Sequence, residues 1–159
     1  MDCCARVCHA PSAAALKAML GAGAATNSFD DIERARTILV CGANPTESHP
    51  VVGARIRQAA RRGASLIVID PRRTELACEP GAVHLALRPG TNLALLNAMA
   101  HTIMSEGLVA TGFVERRVDG LAEYQASLAA WTPERAAAIC GVPASEIRRA
   151  ARLYAGNGP

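Results

Sequence analysis

The sequence predicts an α/β fold: a three-layer αβα arrangement with a parallel sheet, incomplete as it stands and followed by a helical segment. Three short apolar runs, at residues 38–41, 66–69 and 83–87, are too short for helices, and each ends in a polar loop that contains Gly or Pro. Stretches long enough for helices separate the runs. Because parallel strands need such crossovers, we expect the three runs to lie side by side in one sheet.

The first 36 residues are predicted to form a loop and two short helices. Residues 1–11 show neither helical nor strand spacing and end at a proline, so we predict a loop there. The alanine-rich residues 12–20 begin with a serine that can cap a helix. After a linker of small residues, Ser28 and Asp31 resemble a capping box, which predicts a short helix to residue 36.

Residues 37–107 are predicted to form the sheet. The first run is expected to be a strand buried on both faces, since it is apolar without interruption. Apolar residues at helical spacing follow over residues 51–62, and Gly63 predicts the end of that helix. The second and third runs give two more strands, and a long amphipathic helix over residues 92–106 closes the region.

The remaining residues, 108–159, are predicted to be a helical segment of the same domain. Thr132, a proline and an acid follow one another in the order of a helix start. The predicted helices cover residues 111–118, 121–130, 133–139 and 144–155. The chain therefore has three predicted segments, with boundaries after residues 36 and 107.

Composition narrows the classes of function. Hydrophobic residues make up 50% of the chain and charged residues 19%, with a net charge of +3, as in an ordinary globular protein. Aromatic residues are only 3% and there is no basic tract, which argues against nucleic-acid binding. No apolar run approaches the roughly 20 residues of a membrane span. No signal peptide is visible, so we expect a cytoplasmic protein, with the periplasm open for a longer parent.

The basic residues and the cysteines refine this view. All basic residues except Lys17 are arginines, which suit a phosphate or carboxylate site or, equally, a solvated surface. Six cysteines contain no C-x-x-C pair, which argues against a zinc ribbon or a disulfide framework. Cys41 and Cys140 stand in apolar surroundings and are expected in the core. His84 and His101 are expected to pack or to lie on the surface.

The loops that follow the strands are candidate ligand contacts, because in a parallel sheet they meet at one edge. Asp70, directly after a strand, is placed to accept hydrogen bonds from ribose hydroxyls or a guanine edge. Gly42, Asn44 and Gly90 would allow the backbone to approach phosphate closely. The alternative is that the Asp-Pro and Pro-Gly pairs only make turns. No loop carries G-x-G-x-x-G, so an ordinary NAD site is not supported.

Four motifs, DCCARVCHAPS, CGANPTESHP, IDPRR and LRPGTN, occur in an order and spacing that resembles the molybdopterin oxidoreductases. The resemblance covers essentially the whole chain and is strongest to the catalytic subunit of molybdenum- or tungsten-dependent formate dehydrogenases. It implies a Rossmann-like fold of the type found in domains 1–3 of formate dehydrogenase and DMSO reductase. It also implies oxidation of formate to carbon dioxide, with electrons passed to iron–sulfur clusters.

The resemblance assigns a cofactor and site residues. The implied cofactor is a bis-molybdopterin guanine dinucleotide with molybdenum or tungsten. Cys8, in the active-site loop of residues 1–36, would ligate the metal, a role that suits a soft thiolate, and His9 would assist beside it. Cys3 and Cys4 would only flank the ligand. The implied dinucleotide contacts are Gly42, Asn44, Glu47, Ser48 and His49 in the first loop, Asp70 and Arg72 in the second, and Gly90, Thr91 and Asn92 in the third.

The resemblance also implies that much of the enzyme lies outside this sequence. Cysteines for a 4Fe-4S cluster would precede it, and an arginine for the substrate carboxylate would follow it. We therefore expect an internal piece of a longer subunit, poorly folded and inactive alone. Its partners would be formate, the rest of the catalytic subunit, and electron-transfer subunits that carry iron–sulfur or flavin. Two alternatives are another family member, such as a nitrate reductase, and a non-catalytic nucleotide-binding module.

Overall fold

The computed structural model describes residues 4–156. They divide into two units, the first ending at Asp31 and the second beginning at Ile32. The predicted segment boundaries after residues 36 and 107 stay predictions.

The first unit consists of short helices joined by a glycine-containing linker. Helix α1 (Ala5–Cys8) is followed almost directly by helix α2 (Ala10–Leu20). The prediction of a loop over residues 1–11 is therefore wrong for the part described there. The reason is that Pro11 lies in the first turn of α2, where a missing N–H leaves no hydrogen bond unmade. Helix α2 ends at Gly21, whose φ of +79° favours glycine.

A capping interaction starts helix α3 (Phe29–Arg34), as predicted. The backbone N–H and the hydroxyl of Ser28 donate to the same carboxylate oxygen of Asp31, at 2.8 Å and 2.9 Å. The helix ends two residues before the predicted residue 36.

Three parallel strands form the sheet of the second unit, as predicted: β1 (Thr37–Cys41), β2 (Ser65–Ile69) and β3 (Val83–Leu85). Strand β2 lies between the other two, with Thr37 paired to Ser65 and Ile67 paired to Val83. Strand β3 ends two residues before the predicted residue 87. There the Leu87 amide turns back to the Leu85 carbonyl instead of joining the ladder.

The helices that follow β3 in the chain agree closely with the prediction, whereas those between the strands agree less closely. A short helix and a 3₁₀ turn (Leu76–Cys78) occupy stretches that were predicted as loops. The short helix forms because Pro45 can occupy its first turn, and Pro50 starts the next helix in the same way. The helices are α4 (Pro45–Ser48), α5 (Pro50–Arg61), α6 (Asn92–Ser105), α7 (Thr111–Arg117), α8 (Leu121–Leu128), α9 (Pro133–Cys140) and α10 (Ala144–Gly156). Within residues 4–156, none of the helices has the length and apolar character needed to cross a membrane.

Helices cover both faces of the sheet, which makes three layers. Side chains alternate along each strand between two apolar clusters. One cluster joins Ile67 and Leu85 to helices α6, α9 and α10, which we call the first face. The other joins Val68 to α5 and to the 3₁₀ turn, which we call the second face. The Thr37 hydroxyl also donates to the Leu153 carbonyl at 3.2 Å, so α10 is hydrogen-bonded to the start of β1.

Burial differs between the strands. Four of the five residues of β2 are buried, as predicted for a strand covered on both faces. In β1 only Val40 is buried, so the same prediction is wrong for β1. The difference lies in the cover by the helices: apart from Val40, the apolar side chains of β1 are only partly buried at the borders of the two clusters.

Candidate cofactor-binding edge and cysteine segment

The carboxyl ends of the strands bring three loops to one edge of the sheet, which we call the carboxyl edge: residues 42–50, 70–75 and 86–92. Cys41, Ile69 and Leu85 are register partners, so the strands end level. The Gly42 amide donates to the Ile69 carbonyl at 2.8 Å, which extends the pairing into the first loop. The edge contains every residue predicted to contact a dinucleotide.

The first loop turns at Gly42 and continues into α4. Gly42 has a φ of +61° and open space where a Cβ would stand, so its backbone is accessible. Asn44 precedes α4, and its side-chain oxygen accepts a hydrogen bond from the Thr46 hydroxyl at 2.7 Å. Ser48 Oγ lies 3.0 Å from the Asn44 carbonyl oxygen and 2.9 Å from His49 Nδ1. The exposed side chains of this loop include Glu47, Ser48 and His49.

The second loop is a tight turn built around Asp70. This residue is only 4% exposed, and its Oδ1 accepts a hydrogen bond from the Arg72 backbone N–H at 2.7 Å. The Arg72 Nε lies 3.5 Å from the same oxygen, with 70% of the Arg72 side chain exposed. Asp70 therefore does make a turn, as the alternative interpretation held. Its Oδ2 has no hydrogen-bond partner among the residues described, which leaves one acceptor for a ligand.

A histidine on the neighbouring strand contacts the same turn. His84 Nε2 lies 2.9 Å from the carbonyl oxygen of Asp70. His84 is half-buried in β3, so it belongs to the packing residues that the sequence predicted, but it also makes a specific bond at the carboxyl edge.

The third loop leads from β3 into the amino terminus of α6. Gly90 has a φ of +82° and open space at its Cβ position. The Thr91 hydroxyl donates to the Arg88 carbonyl at 2.6 Å, so it does not cap the helix. The first amides of α6 therefore have no side-chain cap, at the partly positive end of the helix. Asn92 Nδ2 donates to Cys41 Sγ at 3.6 Å, which connects the third loop with the end of β1.

The cysteine segment lies in the first unit. Cys8 is the last residue of α1, and His9 is the residue that precedes α2. The Cys8 amide donates to the Cys4 carbonyl at 3.0 Å, and the Ala13 amide donates to the His9 carbonyl at 2.9 Å. Both Cys8 and His9 are exposed. A thiol and an imidazole thus lie on adjacent residues at a helix–helix junction, accessible to a ligand.

The carboxyl edge fits the anionic part of a cofactor, and the cysteine segment, taken by itself, offers a ligand for a metal. The carboxyl edge supplies open glycine backbone, the uncapped amides of α6 and the guanidinium of Arg72, all groups that bind phosphate. Cys8 supplies a soft sulfur ligand. Among residues 4–156, no three His, Cys, Asp or Glu side chains form a metal-binding group.

Two further residues shape the carboxyl edge: Gly53, which sequence analysis did not name, and His84, which it named only as a packing or surface residue. A Cβ on Gly53 would lie 2.8 Å from Thr46 Cα and 2.9 Å from the Pro45 carbonyl oxygen, so glycine lets α5 pack directly against α4. A glycine inside a helical pattern is a weak signal of such an approach. The bond from His84 crosses between strands, and no local pattern announces it.

The other predictions for cysteine and histidine agree with the structure except in part for Cys41. Cys140 is fully buried, which confirms it as a core residue, whereas Cys41 is only half-buried and packs against the same cluster from its border. His101 is half-buried, with its Nδ1 3.0 Å from the Leu128 carbonyl oxygen. Cys3 lies outside the described residues.

Comparison with known proteins gives a consistent family. The sequence profile described as molybdopterin oxidoreductase matches residues 1–154. Formate dehydrogenase H of Escherichia coli K12 is 46% identical over 98% of this chain and 22% of that protein. The F420-dependent formate dehydrogenase subunit alpha of Methanocaldococcus jannaschii is 41% identical over 97% of this chain and 23% of that protein. A nitrate reductase of Symbiobacterium thermophilum is 37% identical over 96% of this chain and 22% of that protein.

A solved structure with a similar fold is acetylene hydratase from Pelobacter acetylenicus. The TM-score is 0.74 at 34% identity, over 83% of this chain and 18% of that one. This likeness confirms the α/β architecture. The chain spans about a fifth of the length of the proteins that it matches.

Proposed function

This chain belongs to the molybdopterin oxidoreductase family, and we propose that it is part of the catalytic subunit of a molybdenum- or tungsten-dependent formate dehydrogenase. The observation that carries the proposal is the 46% and 41% identity to two formate dehydrogenases, against 37% to a nitrate reductase. The reaction is the oxidation of formate to carbon dioxide, with two electrons leaving through iron–sulfur clusters. Because the chain spans about a fifth of these relatives, the activity belongs to the whole subunit.

In this proposal the carboxyl edge holds the guanine dinucleotide part of the cofactor. The open backbone near Gly42 and Gly90 and the amides that begin α6 would donate hydrogen bonds to its phosphate oxygens. Arg72 pairs with a phosphate through its exposed guanidinium. Asp70 Oδ2 accepts hydrogen bonds from the nucleoside. The support for these roles is that the three loops leave the sheet at one level.

Cys8 and His9 are assigned to the metal. When bound, the cofactor supplies a metal that accepts the two electrons of formate. Cys8 provides a thiolate ligand to that metal, and the exposed thiol is accessible for it. His9 is assigned a role without ligation: with the cofactor bound, a nitrogen of its ring would accept or donate a proton. The 4Fe-4S cluster and the residues that bind the formate carboxylate belong to the rest of the subunit.

A second candidate is a nitrate reductase of the same family. The 37% identity to the Symbiobacterium thermophilum enzyme along 96% of this chain favours it. The Cys8–His9 pair favours formate, because the family resemblance places a histidine after the metal ligand in formate dehydrogenases and a different residue in periplasmic nitrate reductases.

The test uses the full-length subunit purified with its cofactor. We expect formate-dependent reduction of a viologen dye, together with molybdenum or tungsten and guanine nucleotide released by acid. Nitrate-dependent oxidation of reduced dye, without formate oxidation, would support the nitrate reductase. A protein that binds nucleotide but holds no metal and reduces no dye would be the non-catalytic module.

A further inference from the structure

His84 lies in the middle of β3, with its side chain on the second face of the sheet. Val83 and Leu85 pack in the cluster of the first face, so the alternation of the strand directs His84 to the other side. The ring is half-buried there, and its Nε2 lies 2.9 Å from the carbonyl oxygen of Asp70, 14 residues earlier.

The Asp70 carbonyl needs a partner that the sheet does not provide. The last register pair of the β2–β3 ladder is Ile69 with Leu85, so Asp70 is the first residue beyond it. A buried carbonyl without a partner would be destabilising. His84 supplies this partner from the side of β3, and Nε2 must carry the proton because a carbonyl oxygen only accepts.

The next residue makes this bond more important. Pro71 has no N–H, so the carbonyl oxygen is the only hydrogen-bonding group of the peptide that joins Asp70 to Pro71. On the other side of the same residue, the Asp70 carboxylate is held by the Arg72 amide at 2.7 Å. Asp70 is thus fixed at two points, its carbonyl by His84 and its carboxylate by Arg72.

These two bonds decide where the second loop directs its functional groups. Rotation of the peptide after Asp70 would carry away the Arg72 amide that holds the Asp70 carboxylate, and with it the Arg72 side chain, which is 70% exposed at the carboxyl edge. The Asp70 carboxylate and the Arg72 side chain are both groups that the proposed function assigns to the dinucleotide. A bond that stops this rotation prepares them before the cofactor arrives.

We propose that His84 is a positioning residue for the dinucleotide: by donating from Nε2 to the Asp70 carbonyl, it fixes the orientation of Asp70 and Arg72 toward a guanine nucleotide. The inference rests on the proposed function, and it adds a residue that has no contact of its own with the nucleotide. The neutral Nε2–H tautomer and the imidazolium both make the bond.

The experiment compares three variants of the full-length subunit. His84→Leu fills the half-buried position with an apolar side chain that has no hydrogen-bond donor. His84→Gln replaces the Nε2–H donor by a side-chain amide. His101→Leu is the matched control, because His101 is also half-buried and also has a ring nitrogen 3.0 Å from a carbonyl, but in the contact between α6 and α8. The readouts are guanine nucleotide and metal per polypeptide, hydrogen exchange of the peptide that contains residues 70–76, and melting temperature.

We expect His84→Leu to retain nucleotide about three- to tenfold less well, as for the loss of one hydrogen bond, and to speed exchange of the Arg72 amide. His84→Gln should restore nucleotide retention and the slow exchange of the Arg72 amide. His101→Leu should lower the melting temperature about as much as His84→Leu does, and it should leave nucleotide retention and exchange of the Arg72 amide unchanged. If His84→Leu does not accumulate as folded protein, His84→Met serves as the variant without a donor.

Equal nucleotide retention and equal exchange in His84→Leu and His101→Leu would overturn the inference and make His84 a packing residue. A failure of the proposed function looks different, because the wild-type subunit itself would then contain no guanine nucleotide. In that case unchanged exchange of the Arg72 amide in His84→Leu would still refute the role of His84 in holding the turn.

Discussion

The cysteine segment and the carboxyl edge are held in different ways. In the first unit no residue of α2 is buried, and Cys8 and His9 are both exposed. The second loop of the carboxyl edge leaves β2, in which Leu66, Ile67, Val68 and Ile69 are at most 2% exposed. A loop on a buried strand takes its position from the core, whereas an exposed helical segment opens at low free energy and is fixed by what it binds.

The difference suggests a division between holding the cofactor and reacting with it. Variants of the cysteine segment should change turnover and leave nucleotide content and stability nearly unchanged. Variants of the carboxyl edge should lower nucleotide content or stability, while each loaded molecule keeps its turnover. The predictions that follow test this division, from the largest expected effect to the smallest.

Cys8→Ser should reduce formate oxidation to the level of the metal-free subunit, because serine is a harder and far less acidic ligand than cysteine. Guanine nucleotide should be largely retained, since the carboxyl edge is unchanged. The assay is formate-dependent dye reduction with metal and nucleotide analysis. Cys4→Ser is the matched control, as Cys4 is exposed in the same segment. Wild-type turnover in Cys8→Ser would rule out the ligand role.

His9→Gln should keep full metal and nucleotide content and lower turnover by on the order of 10²–10⁴-fold, the usual contribution of a general acid or base. Steady-state dye reduction per bound metal measures this. His49→Gln provides a comparison, because His49 is exposed on the first loop and is assigned to binding. Unchanged turnover in His9→Gln would show that His9 has no catalytic role and is only the residue that precedes α2.

Asp70→Ala should weaken dinucleotide binding by about 1.5–3 kcal/mol, through loss of a charged hydrogen-bond acceptor. Asp70→Asn separates the two roles of the side chain, because asparagine still accepts the bond from the Arg72 amide and makes the same turn. Nucleotide content after competition with free cofactor is the measurement. Normal content in Asp70→Ala would show that Asp70 only makes a turn.

Gly53→Ala should destabilise the subunit by about 1–3 kcal/mol, since the new Cβ would overlap the backbone of α4. Nucleotide content should fall with it, because α4 carries Glu47 and Ser48. Gly112→Ala in α7 is the matched control: apart from its chain neighbours and its own helix backbone, the nearest atom to its new Cβ is 3.9 Å away, so helix propensity should make it slightly stabilising. Denaturant midpoints compare the two, and equal midpoints would contradict the close approach of α4 and α5.

The smallest effect is expected from Arg152→Ala, on the contact between α6 and α10. Hydrogen bonds from Arg152 at 2.7 Å and 2.8 Å, and then its positive charge, hold the pKa of Glu106 below its ordinary value of 4.5. A lowered carboxyl pKa gives stability that is present above about pH 4.5 and is lost as pH falls through the lowered pKa. The midpoints of wild type and variant should therefore differ at pH 7 and converge in acid, with turnover unchanged. A difference that grows in acid would contradict this sign.

Much of the fold was predictable because its signals are local. Strand β2 is a continuous apolar run between a glycine and an Asp-Pro pair, and it forms as a buried strand. The sequence could not distinguish the half-buried strand β1 from β2, because burial depends on how completely distant helices cover a strand. The sequence also predicted that Pro45 lies in a loop, although proline is equally favourable in the first turn of a helix.

The site was predictable only in part for the same reason. Turn residues such as Gly42 and Gly90 are visible in the chain, and the structure gives both a positive φ. The bonds that join the loops are not visible, since Asn92 reaches Cys41 and His84 reaches Asp70 from distant parts of the sequence. Such contacts follow from the topology of the sheet and not from any local pattern.

The position of α10 affects how the protein is made. The helix begins at Ala144, more than one hundred residues after β1 begins at Thr37, yet it covers the first face of the sheet and bonds to Thr37. At ordinary rates of translation, α10 is synthesised roughly 5–20 s after β1. During that interval the first face of the nascent sheet lacks the cover of α10, so the apolar cluster of that face is incomplete until the end of the described chain has been made.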